Sequence, residues 1–210
     1  MSRRAQSIPP REVRIIGGRW KRSKLPVADM RGLRPTPDRV RETLFNWLGP
    51  DLSGWRCLDA FAGTGALGFE AASRGAEEVV LLERDRQQAR RLADSAQRLQ
   101  ATTVRIECAD AIGWLARSAP ERFDVVFVDP PFDSALAAPA LAAAARVVAP
   151  GGWIYLELPR PFDAGLAPPI ALTLVRQGRA GSVHFHLLQR EAAAAGERGP
   201  AGSSDASGPL

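Results

Sequence analysis

Residues 123–132 read Phe-Asp-Val-Val-Phe-Val-Asp-Pro-Pro-Phe, an apolar run that ends in a carboxylate and two prolines. The Asp129 carboxylate and the Pro130 carbonyl are both hydrogen-bond acceptors. Neither Pro130 nor Pro131 carries a backbone N–H that would compete for them. The paired pyrrolidine rings stiffen the turn, so both acceptors stay aimed at one point. Phe132 adds a flat face on which a base can stack. Such a set suits a planar exocyclic amine. It also suits a plain strand exit whose aspartate caps the next helix, so other parts of the chain must decide.

A second constellation lies upstream. Trp55 through Ala62 form an apolar, strand-like run that enters Gly63-Thr64-Gly65-Ala66-Leu67-Gly68, and a helical stretch follows to Ser73. Glycines at this spacing let the chain turn sharply, bring backbone close to a ligand and pack helix against strand. Glu83 closes a second apolar run, Val79–Leu82, where an acid accepts hydrogen bonds from ribose hydroxyls. Strand, turn, helix, strand and acid in that order predict a nucleoside site. A dinucleotide brings a pyrophosphate, which favours a helix N-terminus with no carboxylate beside it. Asp59 precedes the turn and suits instead a ligand carrying an amino group and a sulfonium. With Asp129-Pro130-Pro131-Phe132 downstream, the expected cofactor is S-adenosyl-L-methionine.

Four segments resemble the RsmD family, bacterial methyltransferases acting on guanine N2 of small-subunit ribosomal RNA. They are Arg14–Trp20, Leu33–Leu48, Leu58–Gly68 and Asp129–Phe132, and Leu188-Gln189-Arg190-Glu191 is similar to the family's last strand. The glycine turn and the Asp-Pro-Pro-Phe tetrapeptide occur in many amino-methyltransferases, whereas the Gly-Gly-Arg-Trp and Arg-Pro-Thr segments are more specific. The resemblance implies an S-adenosylmethionine-dependent enzyme whose partner is 16S rRNA within the small subunit or its assembly intermediate; composition fits a cytoplasmic home, and a monomer is the default expectation. It implies catalysis by Asp129, Pro130, Pro131 and Phe132. It implies cofactor contacts from Asp59, Phe61, Gly63, Thr64, Gly65, Glu83, Arg84, Asp110 and Ala111, with Asp110 accepting from the adenine amine. On its own residues, Asp110 reads equally as a helix N-cap. The family often has basic residues after the tetrapeptide, where this chain has Asp133-Ser134-Ala135. Competing readings are a DNA adenine-N6 methyltransferase, which needs a larger target-recognition region, and a non-catalytic ribosome-assembly factor retaining the fold.

The elements that must hold these groups follow from composition and pattern. The 210 residues, 45% hydrophobic, allow one domain with appendages. No apolar stretch reaches the length of a membrane span, and Met1-Ser2-Arg3-Arg4 lacks a secretory signal's apolar run. Residues 1–41 contain 12 Lys/Arg against three acids, a net +9, while the whole chain is only +5. The remainder is therefore −4, and the asymmetry marks residues 1–35 as a basic arm for a polyanion. Arg14, Arg19, Trp20, Lys21, Arg22, Lys24 and Arg34 of this arm, with Arg39 just beyond it, are the candidate RNA contacts. Val13–Ile16 and Arg19–Leu25 read as a hairpin around Gly17-Gly18, and Thr36 with Pro37 as a helix start. Val40, Leu44, Trp47 and Leu48 form that helix's apolar stripe, with Arg39 and Arg41 facing elsewhere.

Strands near 56–60, 78–83, 103–108, 124–129 and 152–157 alternate with helices near 66–74, 86–99, 110–117 and 135–148. The pattern predicts a doubly wound, Rossmann-like α/β sheet with an N-terminal basic β-hairpin extension, the methyltransferase domain spanning 36–191. Two further strands, 170–176 and 182–189, join through residues 177–181. The resemblance to class I methyltransferases implies that the last runs antiparallel. Cys57 and Cys108 are expected as buried thiols, and Trp114 and Trp153 as core. His184 and His186 have no third ligand nearby, so no metal is expected. Residues 192–210, rich in Ala, Gly, Ser and Pro, are expected to be disordered.

Overall fold

A computed structural model of the chain describes residues 12–27, 37–131, 135–163, 165 and 170–192. After a two-stranded hairpin, β1 (Glu12–Arg14) and β2 (Lys24–Pro26), comes helix α1 (Asp38–Leu48). The α/β core then runs β3 (Arg56–Asp59), α2 (Ala66–Ser73), β4 (Glu78–Glu83), α3 (Arg86–Leu99), β5 (Val104–Cys108), α4 (Ala111–Arg117), β6 (Phe123–Val128), α5 (Ala137–Val147) and β7 (Val148–Leu158). It closes with β8 (Leu172–Ala180) and β9 (Val183–Arg190).

Among the described residues the main sheet has seven strands in the order β5-β4-β3-β6-β7-β9-β8. β3 to β7 pair in parallel, and β9 is antiparallel to both neighbours. This is the Rossmann-like order with the reversed last strand expected of class I methyltransferases. Its central strands read as continuous apolar runs because helices cover both faces. One face carries α1, α2, α3 and the hairpin over Cys57, Leu81, Phe127 and Tyr155. The other carries α4 and α5 over Leu58, Val80, Val126 and Leu156. The order of connection reverses between β3 and β6, and such a switch point opens a crevice at the carboxyl ends of the strands.

The hairpin forms, but not around a two-residue turn. Its strands pair Val13 with Leu25, and residues 15–23 make a long loop that docks onto α2. There Arg19 N donates to Ser73 O at 2.7 Å, and Ser73 Oγ donates to Gly17 O at 2.6 Å. Gly18 adopts φ +71°, and a Cβ there would lie 1.8 Å from Ser73 O, so this close approach demands glycine. Val13, Ile15 and Leu25 are buried in the same core as α1 and α2. The basic arm is thus built into the domain on this side.

Arg41 corrects a second expectation. It is fully buried, not facing solvent, because its guanidinium donates to Asp38 Oδ1 at 2.7 Å and to Arg14 O at 2.9 Å. It also lies 3.7 Å from the buried carboxylate of Glu70. A buried arginine needs that many acceptors. Phe45, rather than Trp47 or Leu48, completes the buried stripe with Val40 and Leu44, while Trp47 stacks obliquely on Phe185 at 5.4 Å. Cys57 is buried as expected, but Cys108 is exposed, since β5 is the outer strand of the sheet. Trp114 and Trp153 are half-buried, packing against the core margins. Residues 177–180, expected in a loop, continue β8, and the turn shrinks to Gly181-Ser182. Thr36, Arg34 and the tail beyond residue 192 lie outside the described residues.

Candidate active site

Side chains alternate across a strand. Cys57, Leu81, Phe127 and Tyr155 line the core under α1 and α2, so Asp59, Glu83, Asp129 and Glu157, each two residues further on, project from that same face. All four reach the carboxyl ends of β3, β4, β6 and β7, on either side of the switch point. β3 and β6 are direct neighbours, and Ala60 N donates to Phe127 O at 3.0 Å where they end. The glycine turn and the Asp129-Pro130 exit therefore share one crevice.

The turn is braced from three directions. Asp59, 2% exposed, accepts from Gly68 N at 3.1 Å, which fixes the first turn of α2 to the end of β3. A Cβ on Gly68 would lie 2.0 Å from the Leu81 side chain, so this glycine lets α2 seat directly on the sheet. Glu83 accepts from Gly63 N at 3.2 Å with one oxygen and from Asp85 N at 2.8 Å with the other. Gln88, buried on α3, donates to Gly63 O at 2.5 Å. Gly65 caps α2 in the left-handed region, φ 77°.

Among the described residues no arginine or lysine pairs with the buried Asp59 of the crevice. Burial pushes the Asp59 carboxyl up to about 7, against the hydrogen bonds from Gly68 and Phe61, and the Glu83 and Glu157 charges push the same way. Tyr155 is also buried, and its hydroxyl donates to Glu157 Oε1 at 2.7 Å. Burial, then Glu157 and then Asp129 hold that phenol well above its usual range. Sequence reading missed Tyr155, Glu157 and Gln88. Only the β6–β7 register, Phe127 opposite Tyr155, brings the first two beside Asp129. The signal available was an acid ending another apolar run, as with Glu83.

The remaining expected residues are distributed as follows. Phe61 and Gly63 are half-buried, Thr64 is buried, and Arg84 is exposed at the crevice rim. Asp110 caps α4, accepting from Gly113 N at 2.8 Å, and Ala111 is buried behind it. They end β5, one strand beyond Glu83. Asp129 is half-buried, Pro130 buried and Pro131 exposed, while Phe132 lies outside the described residues. Arg14, Arg19, Lys21, Arg22, Lys24 and Arg39 are exposed, but Trp20 packs against the core. The 15–23 loop is bonded to Ser73, at the end of α2 remote from the glycine turn. The described RNA candidates of that loop therefore do not rim the crevice.

Among the described residues no group of three His, Cys, Asp or Glu could hold a metal ion. His186 is a core residue: its Nε2 accepts from Phe162 N at 3.1 Å and its Nδ1 meets Leu156 O at 3.2 Å, a pattern that fits the neutral ring. Burial lowers its pKa accordingly. No helix of the described residues is long and apolar enough to cross a membrane.

The acceptor-rich crevice fits the expected methyl donor. Glu83 oxygens keep lone pairs for ribose hydroxyls, and Gln88 Oε1 is buried beside the turn with no partner among the described residues. The buried acids suit a cationic ligand.

Comparison with known proteins points the same way. The model of a family described as "Conserved hypothetical protein 95" matches residues 13–189. "Ribosomal RNA small subunit methyltransferase D" of Escherichia coli is 43% identical over 188 residues, covering 86% of this chain and 91% of that protein. A solved structure of a putative methyltransferase, yhhF, from Escherichia coli superposes with TM-score 0.75 at 38% identity, covering 87% of this chain and 99% of that one. A T. thermophilus 16S rRNA N2 methyltransferase in complex with AdoMet and guanosine gives TM-score 0.56 at 25% identity, over 86% of this chain and 44% of that one.

Proposed function

Because the chain belongs to the family described as "Conserved hypothetical protein 95", the RsmD family, we propose that it methylates the exocyclic N2 of a guanine in 16S ribosomal RNA, using S-adenosylmethionine. The observation that carries this reading is the shared crevice: the glycine turn and Asp129-Pro130 end neighbouring strands on one face of the sheet. The relative named for small-subunit rRNA supports the substrate class. The neighbour solved with AdoMet and guanosine supports the cofactor and the N2 atom.

When bound, the cofactor supplies an electrophilic methyl carbon on a positively charged sulfur. Glu83 and the backbone of the 63–65 turn would hold its ribose, Asp59 would compensate its positive end, and Asp110 would meet the adenine. Asp129 and the Pro130 carbonyl would accept from the two N–H groups of the guanine amine. That pairing turns the nitrogen lone pair out of conjugation with the ring. Asp129 then receives the proton that the product nitrogen sheds. Phe132 follows directly in sequence and would stack on the base. Placement of this kind supplies several kcal/mol of rate enhancement, up to about 7–11 in well-oriented intramolecular systems. The exposed basic residues of the N-terminal segment would hold phosphates, in the cytoplasm and with the protein as a monomer.

The test is incubation with labelled S-adenosylmethionine and, in parallel, small subunits, their assembly intermediates, naked 16S rRNA and duplex DNA. Label on an rRNA guanine N2 is the expected result. Label on DNA adenine, or subunit binding without label, would replace this reading.

A further inference from the structure

We infer that the outward face of α3 is a second phosphate track, leading RNA from the hairpin to the mouth of the crevice. The inference rests on the rRNA reading above and adds a contact surface to it. Residues 42–210 carry a net charge of −4, yet α3 carries four arginines and one acid, Asp94. α3 is therefore a basic island on an acidic domain. At 100° per residue, Arg86, Arg90, Arg98 and Arg91 fall within a sector of about 140°, with Asp94 in its middle, so the sector carries four cations and one acid. That sector is opposite the buried Gln88, Ala89, Leu92 and Ser95.

Three further observations separate this face from an ordinary solvated one. Arg86 occupies the first turn of α3, where a cation opposes the helix dipole and an acid would stabilise it. Among the described residues no ion pair engages Arg86, Arg90 or Arg91, so these guanidinium groups are open to an anion. The track is also continuous at both ends. Arg98 Nη2 donates to Lys24 O in the hairpin, and Arg86 begins the helix just after Glu83, which braces the glycine turn. From Arg86 to Arg98 the helix rises about 18 Å. That spans on the order of five nucleotides at roughly 3.4 Å each along one strand. Guanidinium groups are suited to the forked contacts that phosphate oxygens accept.

The test is the salt dependence of 16S rRNA binding for the full chain and for Arg86→Gln/Arg90→Gln. Arg86→Lys/Arg90→Lys and Arg117→Gln, on the helix of the opposite face, serve as comparisons. Losing two phosphate contacts should make the log–log salt slope shallower by about 1.4–1.8. The lysine pair should keep most of the slope, Arg117→Gln should leave it unchanged, and S-adenosylmethionine affinity should hold throughout. An unchanged slope in the glutamine pair, with wild-type binding intact, overturns the track while leaving the proposed function standing. A loss in Arg117→Gln of half that of the glutamine pair or more also overturns it, since one charge against two would then explain the effect. A wild-type chain that binds neither 16S rRNA nor small subunits overturns both.

Discussion

Asp59 and Glu70 are both acids, both buried, and both on the face of the sheet that α1 and α2 cover, yet their surroundings are opposite. Glu70 is saturated. It accepts from Ile16 N at 2.7 Å and Gly17 N at 2.8 Å, pairs with Arg74 at 2.9 Å, and has Arg41 at 3.7 Å. Asp59 has backbone donors only and two further acids for neighbours, and no arginine or lysine among the described residues pairs with it. The first is a structural knot that fastens the N-terminal loop and α1 to α2. The second lacks a cation, and a charge deficit beside a glycine turn is what a cationic cofactor would fill.

The largest effect expected from this contrast is on stability. Glu70→Ala removes at once the buried carboxylate that meets Arg41 and Arg74 and accepts from Ile16 N and Gly17 N, and breaking a buried pair typically costs about 3–5 kcal/mol. For a chain of this length that is a melting temperature lower by roughly 10 °C. Thermal unfolding followed by circular dichroism checks it, and a shift of under about 2 °C would show that the knot is dispensable.

Asp59→Asn should act on pH dependence instead. A folded-state pKa of about 7, raised above the usual 3.8, contributes stability that is complete below about 4 and lost as pH rises through 7. The asparagine variant removes that slope and should be the more stable protein above pH 7, by a few kcal/mol at most. Cation binding favours the ionised acid, so wild-type affinity for S-adenosylmethionine should weaken by up to about tenfold for each pH unit below 7 and level off above it. Calorimetric titrations between pH 5.5 and 8 should show this trend in the wild type and a flat profile in the variant. A flat wild-type profile would remove Asp59 from cofactor binding. Smallest of all should be Lys24→Ala: its pair with Glu12 at 2.7 Å is 61% and 50% exposed, and such pairs contribute about 0–1 kcal/mol. A loss above about 2 kcal/mol in denaturant titration would mean that this hairpin edge is held more tightly than its exposure suggests.

What sequence revealed and what it hid divide along the same line. The parallel strands, the glycine turn and the strand exit at Asp129-Pro130-Pro131 were legible because each is local: an apolar run, a tight turn, a stiff carboxyl end. Cys108 was misplaced because an outer strand and a central strand have similar apolar patterns until the strand order is known. Arg41 read as a surface residue because helical periodicity assigns charges outward. Its acceptors come from Asp38, Arg14 and Glu70, the last on another helix. The hairpin loop was read as a turn because its partner, the end of α2, lies more than fifty residues away. Tyr155 and Glu157 join Asp129 only through strand register. The basic arm was legible as charge but not as core, and the burial of Val13, Ile15 and Leu25 makes deletion of residues 1–35 a poor probe of RNA contact. Substituting Arg19, Lys21 and Arg22 tests that contact without opening the domain.

The most direct measurement compares Asp129→Ala with wild type for S-adenosylmethionine affinity and for methyl transfer to small subunits. If the turn holds the cofactor and Asp129 serves the guanine amine, affinity stays within about twofold while transfer falls by roughly 10²–10⁴-fold, the range for a lost positioned proton acceptor. Affinity and transfer falling together, or transfer surviving, would contradict the division of one crevice into a cofactor side and an amine side.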